Sequence, residues 1–527
     1  MKQVDALIVG AGFAGLYMLH KLRQQGFSAQ VVEAGSGVGG TWFWNRYPGA
    51  RCDIPSIEYS YSFDAELERE WRWTERYAGQ AEILRYLEHV ATRFDLARDI
   101  QFNTVVTAAS WDENAQRWLV ETDGAASYSA QFLILASGSL SKPKAPDLPG
   151  LDNFAGPVLH TAQWDDSVDL TGKAVCHFGT GSSGIQAISE LALVTGALTV
   201  FQRTPNFAVP AGNRPLDANY FDGIAPHLAA MREQARNTPL GFLTDPAPPS
   251  AKEAAPDERE ARLEAMWNAG TTGLLTAYDD LLFDEESNAY ATDFARRKIG
   301  EMVTDPEKAR KLTPQGYPLG SRRTCTEIGF WEAMNRSNVA LVDVREEAVV
   351  EVTADAVITT AGRYPAEAIV LATGFDACVG AILAIAVTGR GGQTIAREWA
   401  GGPRCYLGLA VAGFPNLFTI TGPGSPSVLS NMVVSIEQHV EWVARCLTDM
   451  RAGGQSVIEA DAGAELAWMD HANEVAHQTL FPKANSWSQG RTADGREVFM
   501  PYVGGVGAYR AKCDAVRDAG YAGFVVG

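Results

Sequence analysis

The apolar positions of the chain open with a short unbroken run and pass into a helical repeat. In VDALIVGAGFAGLYMLHKL, the residues up to Val9 read as a buried strand, and after a glycine-rich turn Leu16, Leu19 and Leu22 recur at helical spacing. A second strand, AQVVEAG, follows and ends in Glu33. The same order of strand, turn, helix and strand returns at KAVCHFGTGSSGIQAISEL and ALTVFQRTP. From about 211 to 320 the pattern changes to helical periodicity with many charges, as in ANYFDGIAPHLAAMREQARN and DEREARLEAMWNAG. Strands resume at NVALVDV and AIVLATGF, GFPNLFTITGPG adds a strand and a turn, and helices follow.

This order predicts an α/β protein: two Rossmann-like dinucleotide-binding domains with a helical insertion. The first domain is expected over 1–145, a linker and the opening of the second over 146–210, and the insertion over 211–320. The second domain then closes over 321–375 and the first over 376–527, with a mobile loop near 485–500. The length of 527 residues agrees with two or three domains, each able to bury its own core.

Composition narrows the picture by exclusion. Hydrophobic residues at 46% and charged residues at 20% exclude a disordered chain, and no apolar run nears the roughly 20 residues of a membrane span. The first residues resemble a signal peptide only superficially, because Asp5 and three glycines interrupt the apolar stretch. A net charge of −19 argues against a nucleic-acid partner, which needs clustered Lys and Arg. The seven cysteines (Cys52, Cys176, Cys325, Cys378, Cys405, Cys446, Cys513) are scattered and never spaced C-x-x-C, so they read as reduced thiols of a cytoplasmic protein with no metal site.

The glycine turns carry the chemistry. Gly10 permits the tight turn, Gly12 lets the backbone approach a pyrophosphate, and Gly15 lets helix and strand close on each other. Glu33, eighteen residues after Gly15, suits ribose hydroxyls, so this unit reads as a site for FAD or NAD. Gly179, Gly181 and Gly184 repeat the turn, but the following strand ends in Arg203 and Thr204. A cation and a hydroxyl there suit the 2′-phosphate of NADPH, which an acid would repel. Two such sites in one chain imply hydride passage from nicotinamide to flavin. With no redox C-x-x-C to take the electrons onward, dioxygen is the expected acceptor.

Longer motifs now add a resemblance. The stretch FAGPVLHTAQWD contains Phe154, Gly156, His160, Trp164 and Asp165 in the pattern F-x-G-x-x-x-H-x-x-x-W-[PD], and GGTWFWNRYPGARCD runs from Gly39 to Asp53. With FQRTPNFAVP, SRRTCTEIGFWEAMNRSNV, LATGF, GPGSPSVLSNMVVSIEQHVEW and FPKANSWSQG, nearly the whole chain resembles the single-chain Baeyer–Villiger monooxygenases that use FAD and NADPH. The resemblance implies that NADPH reduces FAD, that dioxygen then gives a flavin 4a-peroxide, and that one oxygen is inserted into a ketone to form an ester or lactone.

It further implies roles for individual residues. Arg323 would stabilise developing negative charge, and Asp53 would orient it. Gly40, Thr41, Trp42, Tyr59, Val106 and Met432 would join Gly10, Gly12, Gly15, Glu33 and Asp53 around FAD. Thr180, Gly181, Ser182, Ser183, Gly184, Gln186, Arg203, Thr204, Arg322, Arg323 and Trp487 would hold NADPH, with Trp487 folding over nicotinamide and substrate. Ser427, Val428, Leu429 and Met432 would line the substrate pocket. His160, lying between the two glycine loops, would couple domain positions and would not transfer a proton, with Phe154 and Trp164 as packing anchors. An N- or S-oxygenating flavoprotein and an electron-transfer flavoprotein are the alternatives; Trp164-Asp165 favours the ketone oxygenase. A small-molecule ketone is the expected partner, with no nucleic acid or membrane, in a monomer or small homo-oligomer.

Overall fold

The structure is a computed structural model, and it describes residues 1–144, 146–484, 486, 489–491 and 497–527. The chain begins β1 (Lys2–Val9), α1 (Phe13–Gln24), β2 (Ala29–Val32), β3 (Ile100–Gln101), β4 (Val106–Asp112), β5 (Arg117–Thr122) and β6 (Ser127–Leu135). A second series follows with β7 (Val158–His160), β8 (Ala174–Phe178), α2 (Ser182–Val194) and β9 (Ala197–Gln202), then α3 (Leu228–Asn237), α4 (Pro256–Ala269) and α5 (Glu285–Met302). Beyond these lie β10 (Val339–Asp343), β11 (Ala368–Leu371), β12 (Ala386–Thr388), β13 (Leu417–Thr419), α6 (Met432–Gly453) and α7 (Val506–Asp518).

Two sheets carry the architecture. The first has eight strands in the order β12-β4-β5-β6-β1-β2-β3, with β13 on β6. Its centre is parallel, β1 lying between β2 and β6 with Val9 opposite Val32 and Leu135, and β4 and β5 form an antiparallel flank. Leu7 and Ile8 are fully buried because helices or strands cover both faces, which explains the unbroken apolar run. The second sheet is wholly parallel, β10-β9-β8-β11-β7. In both sheets a glycine turn leads from a strand into a helix, so the N-terminal ends of α1 and α2 arise in the same local way.

Two features go beyond what the sequence indicates. Val158–His160 pairs with β11 and forms the edge of the second sheet. Three residues are too few to display strand periodicity, and the partner strand lies two hundred residues away in sequence. The stretch 211–320, read as one insertion, packs against two different cores. Leu216, Phe221, Ile224, Leu228, Leu240 and Phe242 join the core around α1 and α6, whereas Leu263, Met266, Trp267 and Phe294 join the core beneath the second sheet.

A buried ion pair fixes the first half of that stretch. Arg232 on α3 donates to Glu68 at 2.8 Å and to the hydroxyl of Ser60 at 2.8 Å, and its side chain is only 8% exposed. Such a pair specifies position more than it adds stability. Among the described residues no helix is long and apolar enough to cross a membrane. Part of the expected loop at 485–500 is described, where Gln489–Arg491 and Glu497–Phe499 pair antiparallel.

Candidate active site

At the first glycine turn, Gly10 has φ +105°, and a Cβ there would meet the Ala136 carbonyl oxygen at 2.6 Å. A Cβ on Gly40 would lie 2.9 Å from Gly12 Cα, so two loops approach across a gap that only glycine leaves open. The N-terminus of α1 has no side-chain cap, which leaves its amide groups for an anion. Glu33 is 5% exposed and grips the turn, accepting from the Ala11 amide at 2.6 Å and the Gly35 amide at 2.7 Å. Each carboxylate oxygen retains lone-pair capacity for a ribose hydroxyl. Thr41 and Trp42 begin the short helix Thr41–Trp44, and the Trp42 indole donates to the Tyr59 hydroxyl at 3.3 Å. Burial pushes the Tyr59 phenol upward, keeping it neutral. The Val106 side chain belongs to the core of the first sheet, close to Thr104, whose amide donates to the Glu33 carbonyl. These donors and acceptors fit an adenine dinucleotide.

At the second turn, Gly181 opens α2 without a side-chain cap, and a Cβ there would meet nothing within 4 Å. Gly184 differs, since its Cβ would collide with the Gly179 carbonyl oxygen at 2.2 Å. The Thr180 hydroxyl donates to Gln202 at 3.2 Å and lies 3.3 Å from the Thr204 carbonyl, tying the turn to the end of β9. Ser182 reaches Cys325 at 3.5 Å, and Ser183 follows it on the first turn of α2. Arg203 is exposed at the end of β9 and has no partner among the described residues. This donor set also fits a dinucleotide, and the Arg203 cation follows the neighbouring strand.

Gln186 makes contacts within the protein that the sequence did not disclose. Its Oε1 accepts from the Tyr47 hydroxyl at 2.7 Å and from the Arg51 amide at 3.3 Å, while its Nε2 donates to the Arg51 carbonyl at 3.0 Å. The side chain therefore joins the loop before Asp53 to α2. Gly49 permits this contact, because a Cβ there would sit 2.5 Å from the Gln186 carbonyl oxygen. Tyr47 and Gly49 lie within a quoted motif, but nothing in that motif indicates their partner.

Asp53 and Arg323, 270 residues apart in sequence, meet as a fork. Arg323 Nε donates to Oδ2 at 2.8 Å and Nη2 to Oδ1 at 2.7 Å, and Nη1 donates to the Val428 carbonyl. The side chains remain 31% and 23% exposed. Burial works against the Arg323 cation, but the charge and hydrogen bonds of Asp53 outweigh it, and the guanidinium is held above its ordinary pKa. Three of its five N–H groups are committed, leaving two for a ligand. Arg322 donates through Nε and Nη2 to the Ala484 carbonyl at 3.1 and 2.8 Å and stacks over Tyr317.

Ser427 and Val428 are buried beside Arg323, Leu429 is half-buried, and Met432 begins α6. The insertion also reaches this turn: the Asn431 amide donates to the Leu240 carbonyl, and the Leu243 amide to Glu58. Burial raises the Glu58 carboxyl to about 7, with Leu243 and Arg232 opposing it. Sequence reasoning missed Glu58, since a lone glutamate in IPSIEYSYSF carries no signature. Trp487 lies outside the described residues.

His160 Nδ1 accepts from the Ala162 amide at 3.0 Å, so its proton is on Nε2, which faces Thr373 at 3.3 Å. Burial lowers its pKa, and the ring is neutral. Trp164 is buried in the core on one face of the second sheet, and Phe154 packs against the core on the other face. We expect His160→Gln, which keeps one of these contacts, to slow turnover or loosen coupling several-fold, in line with about 1 kcal/mol for one hydrogen bond. No new ionisation should enter the pH profile; loss of one limb of a bell-shaped profile with normal NADPH oxidation would make His160 a catalytic base.

Comparison with known proteins agrees with this geometry. Residues 7–214 match the family described as pyridine nucleotide-disulphide oxidoreductase. All seven cysteines are free and buried, so the likeness to that family lies in its nucleotide-binding folds and not in a redox dithiol. A phenazine N-monooxygenase from Lysobacter antibioticus is 40% identical, with 99% of this chain and 97% of that protein covered. A Baeyer–Villiger monooxygenase from Pseudooceanicola batsensis is 39% identical, with coverage of 99% and 96%. An oxidized steroid monooxygenase bound to NADP superimposes with a TM-score of 0.95 at 47% identity, covering 100% of this chain and 99% of that one. Full-length similarity at this level, joined to two dinucleotide cradles and no dithiol, settles the family: the chain is an FAD- and NADPH-dependent flavin monooxygenase of the Baeyer–Villiger family.

Proposed function

We propose that the enzyme converts aryl, linear or small cyclic ketones into esters or lactones, with Arg323 and Asp53 as the functional pair. The carrying observation is the bidentate Asp53–Arg323 contact, which leaves two guanidinium N–H groups uncommitted beside the turn Ser427–Leu429. FAD, when bound, accepts hydride from NADPH and activates dioxygen. Asp53 holds the guanidinium plane in place. Arg323 presents its remaining N–H groups to negative charge that develops on the substrate carbonyl oxygen, and preorganised charge acts most strongly where water is scarce. Val428, Leu429 and Met432 offer apolar surface to the ketone's carbon skeleton, and Ser427 shapes the turn. A panel of such ketones, scored for ester or lactone by mass spectrometry with NADPH oxidation measured in parallel, tests this reading. NADPH oxidation that yields only hydrogen peroxide with every ketone would overturn it.

Oxygenation of an aromatic nitrogen is a second reading, favoured by the phenazine N-monooxygenase relative. A nitrogen heteroarene in the same panel separates the two. Seven free buried thiols support a reducing compartment, the cytoplasm.

For NADPH, we assign Arg203 and Thr204 to the 2′-phosphate, with Arg322 as a second cation. Exposure and the lack of a protein partner among the described residues leave Arg203 free to pair. Arg203→Ala is expected to erode the preference for NADPH over NADH by about 1.5–3 kcal/mol, roughly tenfold to a hundredfold in the ratio of kcat/KM values. An unchanged ratio would reassign the phosphate contact.

A further inference from the structure

Ten non-glycine residues among those described have left-handed φ, and three of them meet at one serine. Ser139, just after β6, is 5% exposed. Its carbonyl accepts from the Cys378 amide at 2.8 Å, and Cys378 has φ +65°. Its hydroxyl lies 3.3 Å from the Thr421 carbonyl and 3.1 Å from the Ser427 hydroxyl, at residues with φ +58° and +38°. One arrangement of protons satisfies these contacts: Ser427 donates to Ser139, and Ser139 donates to the Thr421 carbonyl.

Thr421 is itself fixed from behind. Its amide donates to His439 Nδ1 at 2.9 Å on α6, and His439 Nε2 lies 2.7 Å from the Tyr509 hydroxyl on α7. Tyr509 in turn donates to the carbonyl of Leu407, another left-handed residue. A buried hydrogen-bonded chain thus runs from α7 to Ser427, one residue before the carbonyl that receives Arg323. Left-handed non-glycine backbone persists only where surrounding contacts over-determine it.

We infer that Ser139 is a positioning residue for the substrate-facing turn 425–431: it holds Ser427 left-handed and so fixes the Val428 carbonyl against Arg323. The inference rests on the reading of that turn as the substrate pocket. Ser139 touches neither Arg323 nor Asp53, so its effect passes through Ser427.

The test uses full-length holoenzyme and two readouts. In Ser139→Ala, amide hydrogen exchange in 425–431, measured without substrate, should accelerate roughly five- to tenfold, the scale of one lost hydrogen bond. KM for a ketone should rise by a similar factor, more than kcat falls, while anaerobic flavin reduction by NADPH keeps its rate. In a Ser427→Gly background, where the left-handed conformation needs no holding and the hydroxyl is gone, adding Ser139→Ala should change exchange less than twofold. Equal effects in both backgrounds, or unchanged exchange in Ser139→Ala, would overturn the inference. Should Ser139→Ala fail to hold flavin, Ser427→Ala removes the other end of the bond, and an undisturbed turn there is equally fatal. If the unsubstituted enzyme makes no ester from any ketone, the functional reading falls, and the exchange data still decide the role of Ser139.

Discussion

Arg323→Ala is expected to accept hydride from NADPH and to make almost no ester, releasing hydrogen peroxide in its place. Hydride transfer depends on how the nicotinamide is placed, which in the proposed reading falls to the glycine turn at Gly179–Gly184 and the cations around it. Oxygen insertion additionally needs positive charge where the carbonyl oxygen becomes negative. The two N–H groups of Arg323 left over by Asp53 and Val428 are suited to that position. Removing one preorganised donor of this kind costs about 2.7–4 kcal/mol, a loss of 10²–10³ in rate. The substitution also leaves Asp53 and the Val428 carbonyl without their partner. Arg323→Lys separates these effects: it keeps the charge but cannot form the fork, so ester formation should recover only in part. Stopped-flow reduction under anaerobic conditions, followed by mixing with oxygen and product analysis, measures both halves. Normal ester yield in Arg323→Ala would rule out the assigned role.

How much of this was visible in the sequence depended on how local the determining contact is. The glycine turns and Glu33 were legible because strand, turn, helix and acid lie within about thirty residues and follow fixed spacing. The Arg323–Asp53 fork was reachable only through family resemblance, since no periodicity links residues 270 apart. The edge strand at His160 was hidden for the same reason, its register being set by β11. The stretch 211–320 showed helices correctly, but helical periodicity gives a buried face without saying what covers it, and two different cores do so. Gln186 came as a dinucleotide contact only through the resemblance, and its hydrogen bonds to Tyr47 and Arg51 were not visible in any motif. Ser139 left no mark at all: one serine among many becomes distinctive only when three left-handed residues gather around it.

Two glycines with different places in the turns, the third of the first and the second of the second, predict opposite outcomes for a change to alanine. A Cβ on Gly15 would stand 1.8 Å from the Gly10 carbonyl oxygen and 2.9 Å from its carbon, both of them backbone atoms. No rotamer relieves that overlap; α1 would have to move away from β1, spoiling the turn in which Gly10, with φ +105°, has no room for a side chain beside the Ala136 carbonyl. Overpacking of this kind costs typically 1–3 kcal/mol, and a cradle moved by an ångström also forfeits the stabilisation that bound FAD lends the folded state, about 2.7 kcal/mol at a hundredfold excess over Kd. Gly15→Ala should therefore emerge largely free of flavin and melt about 3–5 °C lower. Gly181→Ala meets no atom within 4 Å, so fold and FAD content should survive. Its methyl group instead occupies the approach that a pyrophosphate needs at the N-terminus of α2, and KM for NADPH should rise. The ratio of flavin to protein absorbance, a melting curve and the NADPH titration distinguish the two. Full flavin content in Gly15→Ala would mean that the close approach of α1 to β1 is not what holds the cradle, and flavin loss in Gly181→Ala would mean that the second turn supports the first.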